Sequence, residues 1–575
     1  MEETKMKKLI SLLLVVMLVL GLTACVGGGS ENTKGTVGNI DNTINTGAQT
    51  GGNKGGVLNV AWVGTAPASY SPLNSGNSNY VWTTSVVEGI LSRDAAGNLC
   101  PGVCDFTLSP DQLTLTLTPR EGLKFHNGEP VTIDDIWASI YGNKDDKMEQ
   151  NVRGLIDEDK LVMDYDNNTM TIVFTEYNAN TLYYLSQNAT YLGVLPKSVW
   201  DEVGSYETKE YLDNNSTDTV DLWEGLYDWQ LKHIIGTGPY KIDTTRWEDG
   251  YRVCLVRNED YVQKANDDTL TGMAGGRYAY MDEINIWYNS NESSVALGML
   301  NGTYDTAAVS TDYQSDLIKG GMNSINDPAK NIVYIAFNTN AITMQDSNLR
   351  KAIAAALDYQ TVLQILYGEG AYDLDTSTMQ SSTPYYTNAF SEVDYAGASN
   401  MELAKQYLAQ SAYKDQEVKF YYDNTQGDLA AYVEQQMKAL GVTYSSEAAE
   451  NKTWKSNYAK TGTFDFDFII TASVQAEPIP SSMVTNLRVR FWECNENAKS
   501  MFNAISASIC GSDESLGLWE DMLEVWTDDA HIVPLGCKVS TWYSVSDLTV
   551  QYPGAFVAFY NCYWEDPAAH PVTGK

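Results

Sequence analysis

The residues that look most like a catalytic site lie in the stretch 123–142, which reads LKFHNGEPVTIDDIWASIYG. It contains His126, one of 4 histidines in the chain, followed by the adjacent carboxylates of Asp134 and Asp135. Histidine beside carboxylates is the residue set of general acid–base catalysis. The same residues also fit a purely structural role, because the His-Asn-Gly tripeptide is typical of a turn and Thr132 has capping-box spacing to Asp135. We therefore predict a structural turn at His126 and a helix that begins after Thr132.

Two short stretches match motifs of serine acyl-enzymes. Residues 411–414 read SAYK, matching S-x-x-K, and residues 460–462 read KTG. In those enzymes the motifs lie on well-separated elements that converge on one cleft, whereas here they lie close together in the chain. The sequence has no G-x-S-x-G, H-E-x-x-H or phosphate-loop motif, and its histidines are too scattered to suggest a local metal site. We expect no catalytic residues, metal or cofactor, with an exported serine hydrolase as the alternative.

The N-terminal residues determine the predicted location. Three lysines precede an apolar run at 9–22, which is shorter than the roughly 20 residues of a membrane span and typical of a secretory signal peptide. The tetrapeptide Leu-Thr-Ala-Cys at 22–25 resembles a bacterial lipobox, which implies cleavage before Cys25 and lipidation of that residue. We predict a signal peptide over 1–24 and a protein lipid-anchored to the cell membrane, facing the extracytoplasmic side. An uncleaved anchor would place the body on the same side.

Composition describes the rest of the chain in outline. Residues 25–56 are polar and glycine-rich, so they cannot bury enough surface to fold, and we predict a lipid-anchored flexible linker. The remaining body is long enough for about three domains at ~100–200 residues each. The formal net charge of −37 argues against binding to nucleic acid, which needs clustered lysine and arginine. We expect a monomer.

Strand-like and helix-like patterns alternate along the body, which predicts an α/β architecture. We predict strands at 57–62, around 113–117, at 332–338 and at 464–473, and a hairpin over 161–174 with its turn at 166–168. We predict a helix at 80–92, a helix or helix pair at 347–367, and a strand followed by a helix over 417–441.

Several short motifs occur in order between residues 57 and 370. The longest is PREGLKFHNGEPVTIDDI at 119–136. The others are VEGIL at 87–91, GNLCPG at 97–102, GTGPY at 236–240, RNEDY at 257–261, MDEI at 281–284, NGTYD at 301–305 and RKAI at 350–353. Together they resemble the bacterial extracellular solute-binding proteins of family 5, the oligopeptide- and dipeptide-binding group.

The resemblance implies an α/β, two-lobed, three-domain fold of the periplasmic-binding-protein type, whose hinge closes on its ligand. It implies a lobe I made of 57–79, 179–324 and 536–575, a small extra domain over 80–178, and a lobe II over 325–535. Members of the group hold a peptide backbone between the lobes by strand-like hydrogen bonds. They deliver it to the permease and ATPase subunits of a membrane ABC importer, without covalent chemistry.

The resemblance also suggests ligand contacts, and there this chain departs from the family pattern. The aspartate that usually pairs with the peptide amino terminus falls on Val474, and the usual neighbouring tryptophan is missing. Glu477 is the predicted substitute for that aspartate. The full set of predicted ligand contacts is Tyr80, Trp82, Ala472, Ser473, Gln475 and Glu477. Because the aspartate is absent, a sugar, an opine or a metal chelate stay open as ligands, as does a role as a ligand sensor.

Overall fold

The structure is a computed structural model. It describes residues 51–67, 77–94, 97–142, 146–186, 193–206, 234–263, 272–326, 330–379, 381, 383–450, 466–475, 480, 496–530, 532–550 and 558–572. The predicted signal peptide, Cys25 and most of the predicted linker lie outside these residues. In the part that is described, no helix has both the length and the apolar character needed to cross a bilayer.

The elements alternate between strand and helix along the chain. The strands are β1 Val57–Val63, β2 Leu91–Arg93, β3 Leu99–Pro101, β4 Cys104–Leu108, β5 Thr114–Pro119, β6 Val162–Asp164, β7 Thr169–Val173, β8 Tyr240–Ile242, β9 Arg252–Arg257, β10 Glu283–Asn289, β11 Thr306–Ala308, β12 Asn323–Asn326, β13 Lys330–Phe337, β14 Tyr372–Asp373, β15 Val418–Asp423, β16 Tyr444–Ala449, β17 Phe468–Gln475, β18 Ile532–Lys538, β19 Thr541–Ser544, β20 Leu548–Thr549 and β21 Tyr563–Trp564. The helices are α1 Asn77–Val86, α2 Ile133–Gly142, α3 Asp146–Asn151, α4 Ala179–Leu185, α5 Lys197–Tyr206, α6 Glu292–Leu300, α7 Gln314–Lys319, α8 Ser347–Ala356, α9 Tyr359–Tyr367, α10 Met401–Gln410, α11 Gly427–Leu440, α12 Glu496–Ala507 and α13 Asp513–Asp529.

The first sheet has 7 strands in the order β12-β19-β11-β1-β10-β9-β8. Its strand β1 runs parallel to both β10 and β11. Side chains of β1 alternate between two cores, with Leu58 and Val60 on one face and Ala61 on the other, because successive residues of a strand point to opposite faces. We call the part of the protein built on this sheet lobe I.

The second sheet has 6 strands in the order β14-β18-β13-β17-β15-β16, and we call the part built on it lobe II. The strand predicted at 332–338 is β13, which lies inside the sheet and pairs antiparallel with β17 and β18. Residues 332–337 are all buried. A strand covered on both faces is apolar throughout instead of alternating, which explains the continuous apolar run in the sequence.

The third main sheet has 4 strands in the order β4-β5-β7-β6, and α2 packs on it through Ile136 and Ile140. We call this part the small domain. The predicted hairpin over 161–174 is β6–β7, and the Asp164 carboxylate accepts hydrogen bonds from the backbone N–H groups of residues 166 and 167, at 3.1 and 3.2 Å. Such carboxylate-to-backbone bonds form a turn directly after the aspartate.

Three local predictions need correction or refinement. The helix predicted at 80–92 is α1, which ends at Val86. Its last predicted residues instead become extended, because Gly89 bridges to Gly193 and Leu91 starts β2. The stretch at 347–367 is a helix pair, and the Asp358 carboxylate caps the second helix by accepting from the backbone N–H of Thr361 at 2.8 Å. The strand predicted at 464–473 is β17, which begins at Phe468 and continues to Gln475.

The end of the predicted linker is attached to lobe I. The backbone N–H of Gly55 donates to the carbonyl of Tyr280 at 2.8 Å, and that of Gly56 donates to the Asp282 carboxylate at 3.2 Å. The Asn53 side-chain amide donates to the carbonyl of Glu565 at 2.8 Å. The ordered body therefore begins before Val57.

Lobe II also touches the small domain. The backbone N–H of Cys510, which follows α12, donates to the hydroxyl of Tyr177 at 3.2 Å. Cys510 packs against the core of the small domain, and α12 lies against α4. The contact joins parts of the chain that are far apart in sequence, so it depends on how lobe II sits against the small domain.

Candidate functional site

The stretch around His126 is a structural junction. His126 Nε2 lies 3.0 Å from the carbonyl oxygen of Gly238, and its buried Nδ1 has no hydrogen-bond partner among the described residues. Burial lowers the pKa of His126 to about 4, since the charged imidazolium is disfavoured away from water. A neutral ring held against a backbone carbonyl positions a turn, which agrees with the predicted structural role.

The second aspartate of the pair, Asp135, is also structural. Asp135 Oδ2 accepts from both the backbone N–H and the hydroxyl of Thr132, at 2.8 and 2.7 Å, while its Oδ1 accepts from the backbone N–H of Lys197 at 2.7 Å. The carboxylate therefore closes the start of α2 and ties it to the start of α5. This confirms the helix predicted after Thr132 and leaves Asp135 occupied by three donors.

A buried charge cluster explains several of the family-like motifs at once. Glu88, which is 1% exposed, accepts from Arg120 at 3.1 and 3.2 Å and from the Thr237 hydroxyl at 2.9 Å. The Tyr261 hydroxyl donates to it at 3.1 Å, and Arg277 lies 3.9 Å away. Apart from Arg277, these residues come from the motifs at 87–91, 119–136, 236–240 and 257–261. The motifs thus meet at the junction between lobe I and the small domain, and we call this group the Glu88 cluster.

The motif GTGPY needs its glycines because its backbone passes close to the end of α1. A Cβ added at Gly238 would lie 2.5 Å from the carbonyl oxygen of Ser85, and one added at Gly236 would overlap the carbonyl of Val86. Only a residue without a side chain permits this approach. The loop then presents the Gly238 carbonyl to His126, and Asn258 Nδ2 donates to the same oxygen at 3.0 Å.

The motif NGTYD places Asp305 against β1. Asp305 Oδ2 accepts from the backbone N–H of Asn59 at 2.6 Å and from its side-chain amide at 3.2 Å. Burial raises the pKa of Asp305 to about 6, because desolvation of the carboxylate outweighs these two bonds. The motif therefore fixes the start of β11 beside β1.

The topology places the carboxyl ends of several strands of both lobes at the crossovers between the lobes. The chain crosses between the lobes after Asn326 and again after Lys538, and Asn326 pairs with Thr541 at the start of β19. Strands β1, β10, β11 and β12 all end on that edge of lobe I, since β11 and β12 both run antiparallel to β19. In lobe II, β17 ends at the facing edge, because Gln475 pairs with Lys330 at the start of β13.

This arrangement marks a candidate ligand cleft. In open α/β sheets, ligands bind outside the carboxyl ends of the strands. Here the carboxyl ends of four lobe I strands and of β17 face the same crossover region. A cavity of about 560 Å³ opens at this edge of lobe I, lined by residues 64–66 after β1, by the turn between β8 and β9, and by the end of β10.

Comparison with known proteins decides the family. The sequence model for bacterial extracellular solute-binding proteins, family 5, matches residues 98–488. The chain belongs to this family. The resemblance seen in the motifs is thereby confirmed.

Relatives and solved structures agree with the assignment to family 5. The oligopeptide-binding protein AppA of Bacillus subtilis (strain 168) is 23% identical over 491 residues, covering 81% of this chain and 80% of AppA. The crystal structure of the ABC transporter substrate-binding protein CtaP from Listeria monocytogenes matches with a TM-score of 0.69 at 18% identity, over 89% of this chain and 100% of that one. Bacillus subtilis AppA in complex with a nonapeptide matches with a TM-score of 0.64 at 17% identity, over 90% and 100%. The two-lobed family 5 fold expected from the motifs is therefore confirmed.

The predicted ligand contacts of this family 5 chain lie on two elements. Ala472, Ser473 and Gln475 belong to β17, so Ala472 and Ser473 lie within the strand and not at its end. Tyr80 and Trp82 belong to α1. Only Glu477 lies outside the described residues, and the ligand role of all six residues stays a prediction.

Among the six predicted ligand contacts, Trp82 is the one whose surroundings the structure describes most fully. Its ring is 0% exposed in the lobe I core, and its Nε1 has no hydrogen-bond partner among the described residues. Trp82 lies within the helix predicted at 80–92, and in α1 its side chain packs into the lobe I core. The cavity-lining residues Tyr251 and Trp287 were missed, because an aromatic residue in a turn and another near the end of a strand carry no motif.

The residues behind the hydrolase alternative have structural partners. The Ser411 hydroxyl donates to the carbonyl of Leu408 at 2.7 Å and accepts from the backbone N–H of Tyr413 at 3.2 Å, closing the end of α10. His570 contacts Asp547 at 2.8 Å and stacks on Trp564 at 3.5 Å. Residues 460–462 lie outside the part of the chain that the structure describes. The observed contacts of Ser411 are those of a helix cap.

Proposed function

We propose that this protein is the substrate-binding component of an ABC importer, capturing peptides between its two lobes and delivering them to the permease and ATPase subunits. The observation that carries the proposal is the pair of facing sheet edges at the two crossovers, with family 5 membership. The relative AppA is named an oligopeptide-binding protein, which supports a peptide as the ligand. Extended peptides bind through main-chain hydrogen bonds to a strand. We take β17 as that strand, because its residues after Phe468 extend past its single pairing with β15.

We also propose the location and domain division that the sequence predicts. Cleavage before Cys25 and its lipidation would anchor the body outside the cytoplasm. Lobe I, the small domain and lobe II would correspond to the three sheets. Because β18 continues in the lobe II sheet to Lys538, we place the return to lobe I after Lys538 instead of after residue 535.

Mass spectrometry of ligands released from the purified protein tests the ligand class. Peptides should be released on denaturation, and a synthetic copy should raise the unfolding midpoint of the ligand-free protein, since a ligand that binds only the folded state stabilises it. Release of only sugars, opines or metal chelates would contradict the peptide proposal in favour of the alternatives. If the protein binds its ligand but uptake of that ligand into cells does not depend on the transporter subunits, a sensor is favoured instead.

Replacing Glu477 with glutamine tests the proposed amino-terminal anchor. The variant should bind free-amine peptides about 10–100-fold more weakly, because a hydrogen bond to a charged group contributes ~1.5–3 kcal/mol. Calorimetric titration with matched N-acetylated peptides is the control, and their affinity should not change. Equal losses for both peptide forms, or no loss, would remove Glu477 from the anchor role.

Replacing Tyr177 with phenylalanine tests whether the contact between lobe II and the small domain holds the ligand-bound form closed. The variant loses the acceptor for the Cys510 N–H, so ligand dissociation should accelerate roughly 2–10-fold, as expected for one hydrogen bond. Stopped-flow release measures the rate. Tyr165→Phe is the matched control, because its hydroxyl donates to Asp134 of the small domain at 3.3 Å. Equal release rates in all three proteins would contradict the closure role.

A further inference from the structure

The cavity at the carboxyl edge of lobe I has one fixed aromatic wall. Trp287 Nε1 lies 3.4 Å from the Asn59 side-chain oxygen, and the Arg252 guanidinium lies over the Trp287 ring, 4.7 Å from its centre. An indole held from two sides keeps its orientation whether or not a ligand is present. Aromatic rings held in this way offer a large, preorganised apolar surface.

A second ring lies open at the rim. The Tyr251 side chain is 68% exposed, while its backbone carbonyl is fixed by the N–H of Tyr288 at 2.8 Å. Tyr304 completes the lining and packs against Gly298 of α6. An exposed aromatic ring on a fixed backbone can stack on an incoming group without rearrangement of the strand beside it.

The lining of the cavity favours an uncharged ligand group over a charged one. Glu248 lines it, but its carboxylate already pairs with Arg252 at 2.5 Å. A charged group entering the cavity would lose water without gaining an unpaired counter-charge from this pair, and desolvated charges are costly unless paired. An uncharged ring loses little by the same transfer and gains stacking contacts.

We propose that this cavity binds one uncharged aromatic side chain of the ligand, between the fixed ring of Trp287 and the open ring of Tyr251. The inference rests on the proposed function, because it takes the ligand to be a peptide in the cleft. The cavity volume of about 560 Å³ lies within the roughly 300–1,000 Å³ of ligand pockets. It leaves room for ordered water beside the ring, as is usual in polar sites.

Calorimetric titration with an alanine-based peptide series tests the proposal. A single Phe, Tyr, Lys or Glu is moved through each position of the peptide, and binding is measured with the whole purified protein. At one position Phe and Tyr should bind about tenfold more tightly than Ala, as expected for one aromatic pair with its burial. Lys and Glu at that position should bind no better than Ala.

Substitutions at Tyr251 then assign the preference to the cavity. Tyr251→Ala should reduce the preference for a ring about three- to tenfold, whereas Tyr251→Phe should keep the preference. Tyr165→Ala is the matched control, since Tyr165 is 67% exposed and lies on the small domain. Peptide binding with a ring preference that Tyr251→Ala does not alter, or with a preference for Lys or Glu, overturns the cavity assignment alone. Absence of binding by any peptide overturns the proposed function together with it.

Discussion

Replacing Glu88 with alanine is expected to lower the free energy of unfolding by about 3–5 kcal/mol, the loss typical of a buried ion pair from which one partner is removed. Glu88 is 1% exposed, Arg120 7% and Arg277 3%, so neither guanidinium can turn to water without opening the junction. The carboxylate also accepts from Thr237 and Tyr261. Urea denaturation followed by circular dichroism measures the loss as a lower midpoint.

Two further variants make the Glu88 result specific. Glu88→Gln keeps the shape and one acceptor oxygen but not the charge, so its loss should be smaller than that of alanine. Glu434→Ala removes an exposed helix pair with Lys438 and should change the free energy of unfolding by less than about 1 kcal/mol. Hydrogen exchange should show faster opening at residues 124–131 and 236–240 in Glu88→Ala. If Glu88→Ala were as mild as Glu434→Ala, the cluster would not hold the junction.

Replacing His126 with glutamine is expected to change how stability depends on pH. Burial lowers the pKa of His126 to about 4 in the folded protein, against about 6.5 when unfolded. Between these values the unfolded chain binds the proton and the folded protein does not, so this group makes the folded state less stable as pH falls from about 6.5 to about 4. The shift amounts to up to about 3 kcal/mol. Glutamine keeps a donor for the Gly238 carbonyl without titrating.

The measurement is the difference between wild type and His126→Gln in urea midpoints at pH 7.5 and pH 4.5. Any stability advantage of wild type at pH 7.5 should shrink by about 2–3 kcal/mol at pH 4.5. A difference is needed because Asp305, with its pKa raised to about 6, acts in the opposite sense in the same pH range. Lys124→Gln, an exposed change in the same stretch, should follow wild type at both pH values. Parallel curves for wild type and His126→Gln would contradict the burial argument.

Local sequence patterns predicted the secondary-structure elements correctly where the pattern of apolar or capping residues is clear. The near-continuous apolar run at 332–338 predicted a strand, and residues 332–337 lie buried in β13. The spacing of Thr132 and Asp135 placed the start of α2 correctly, because both partners of that cap lie within one helical turn. The helix predicted at 80–92 was too long, because partners distant in sequence extend the chain after Val86.

The candidate site was less accessible to sequence reasoning. Motifs identified the family, and that resemblance pointed to β17. Nothing in the sequence, however, distinguished Tyr251 or Trp287 from the many other aromatic residues. Their proximity depends on the β8–β9 turn reaching the end of β10, which is a matter of strand pairing. The side-chain periodicity of a single strand carries no information about that distance.

The sequence by itself determined the α/β class, the family and the structural character of the stretch around His126, since each follows from local spacing or from motifs that survive in order along the chain. Only the tertiary structure decided that Glu88, Arg120 and Arg277 form one buried cluster and that an aromatic cavity opens at the carboxyl edge of lobe I. Local interactions are set by residues within a few positions of one another. Which distant polar and aromatic groups meet depends instead on how the sheets pair and pack.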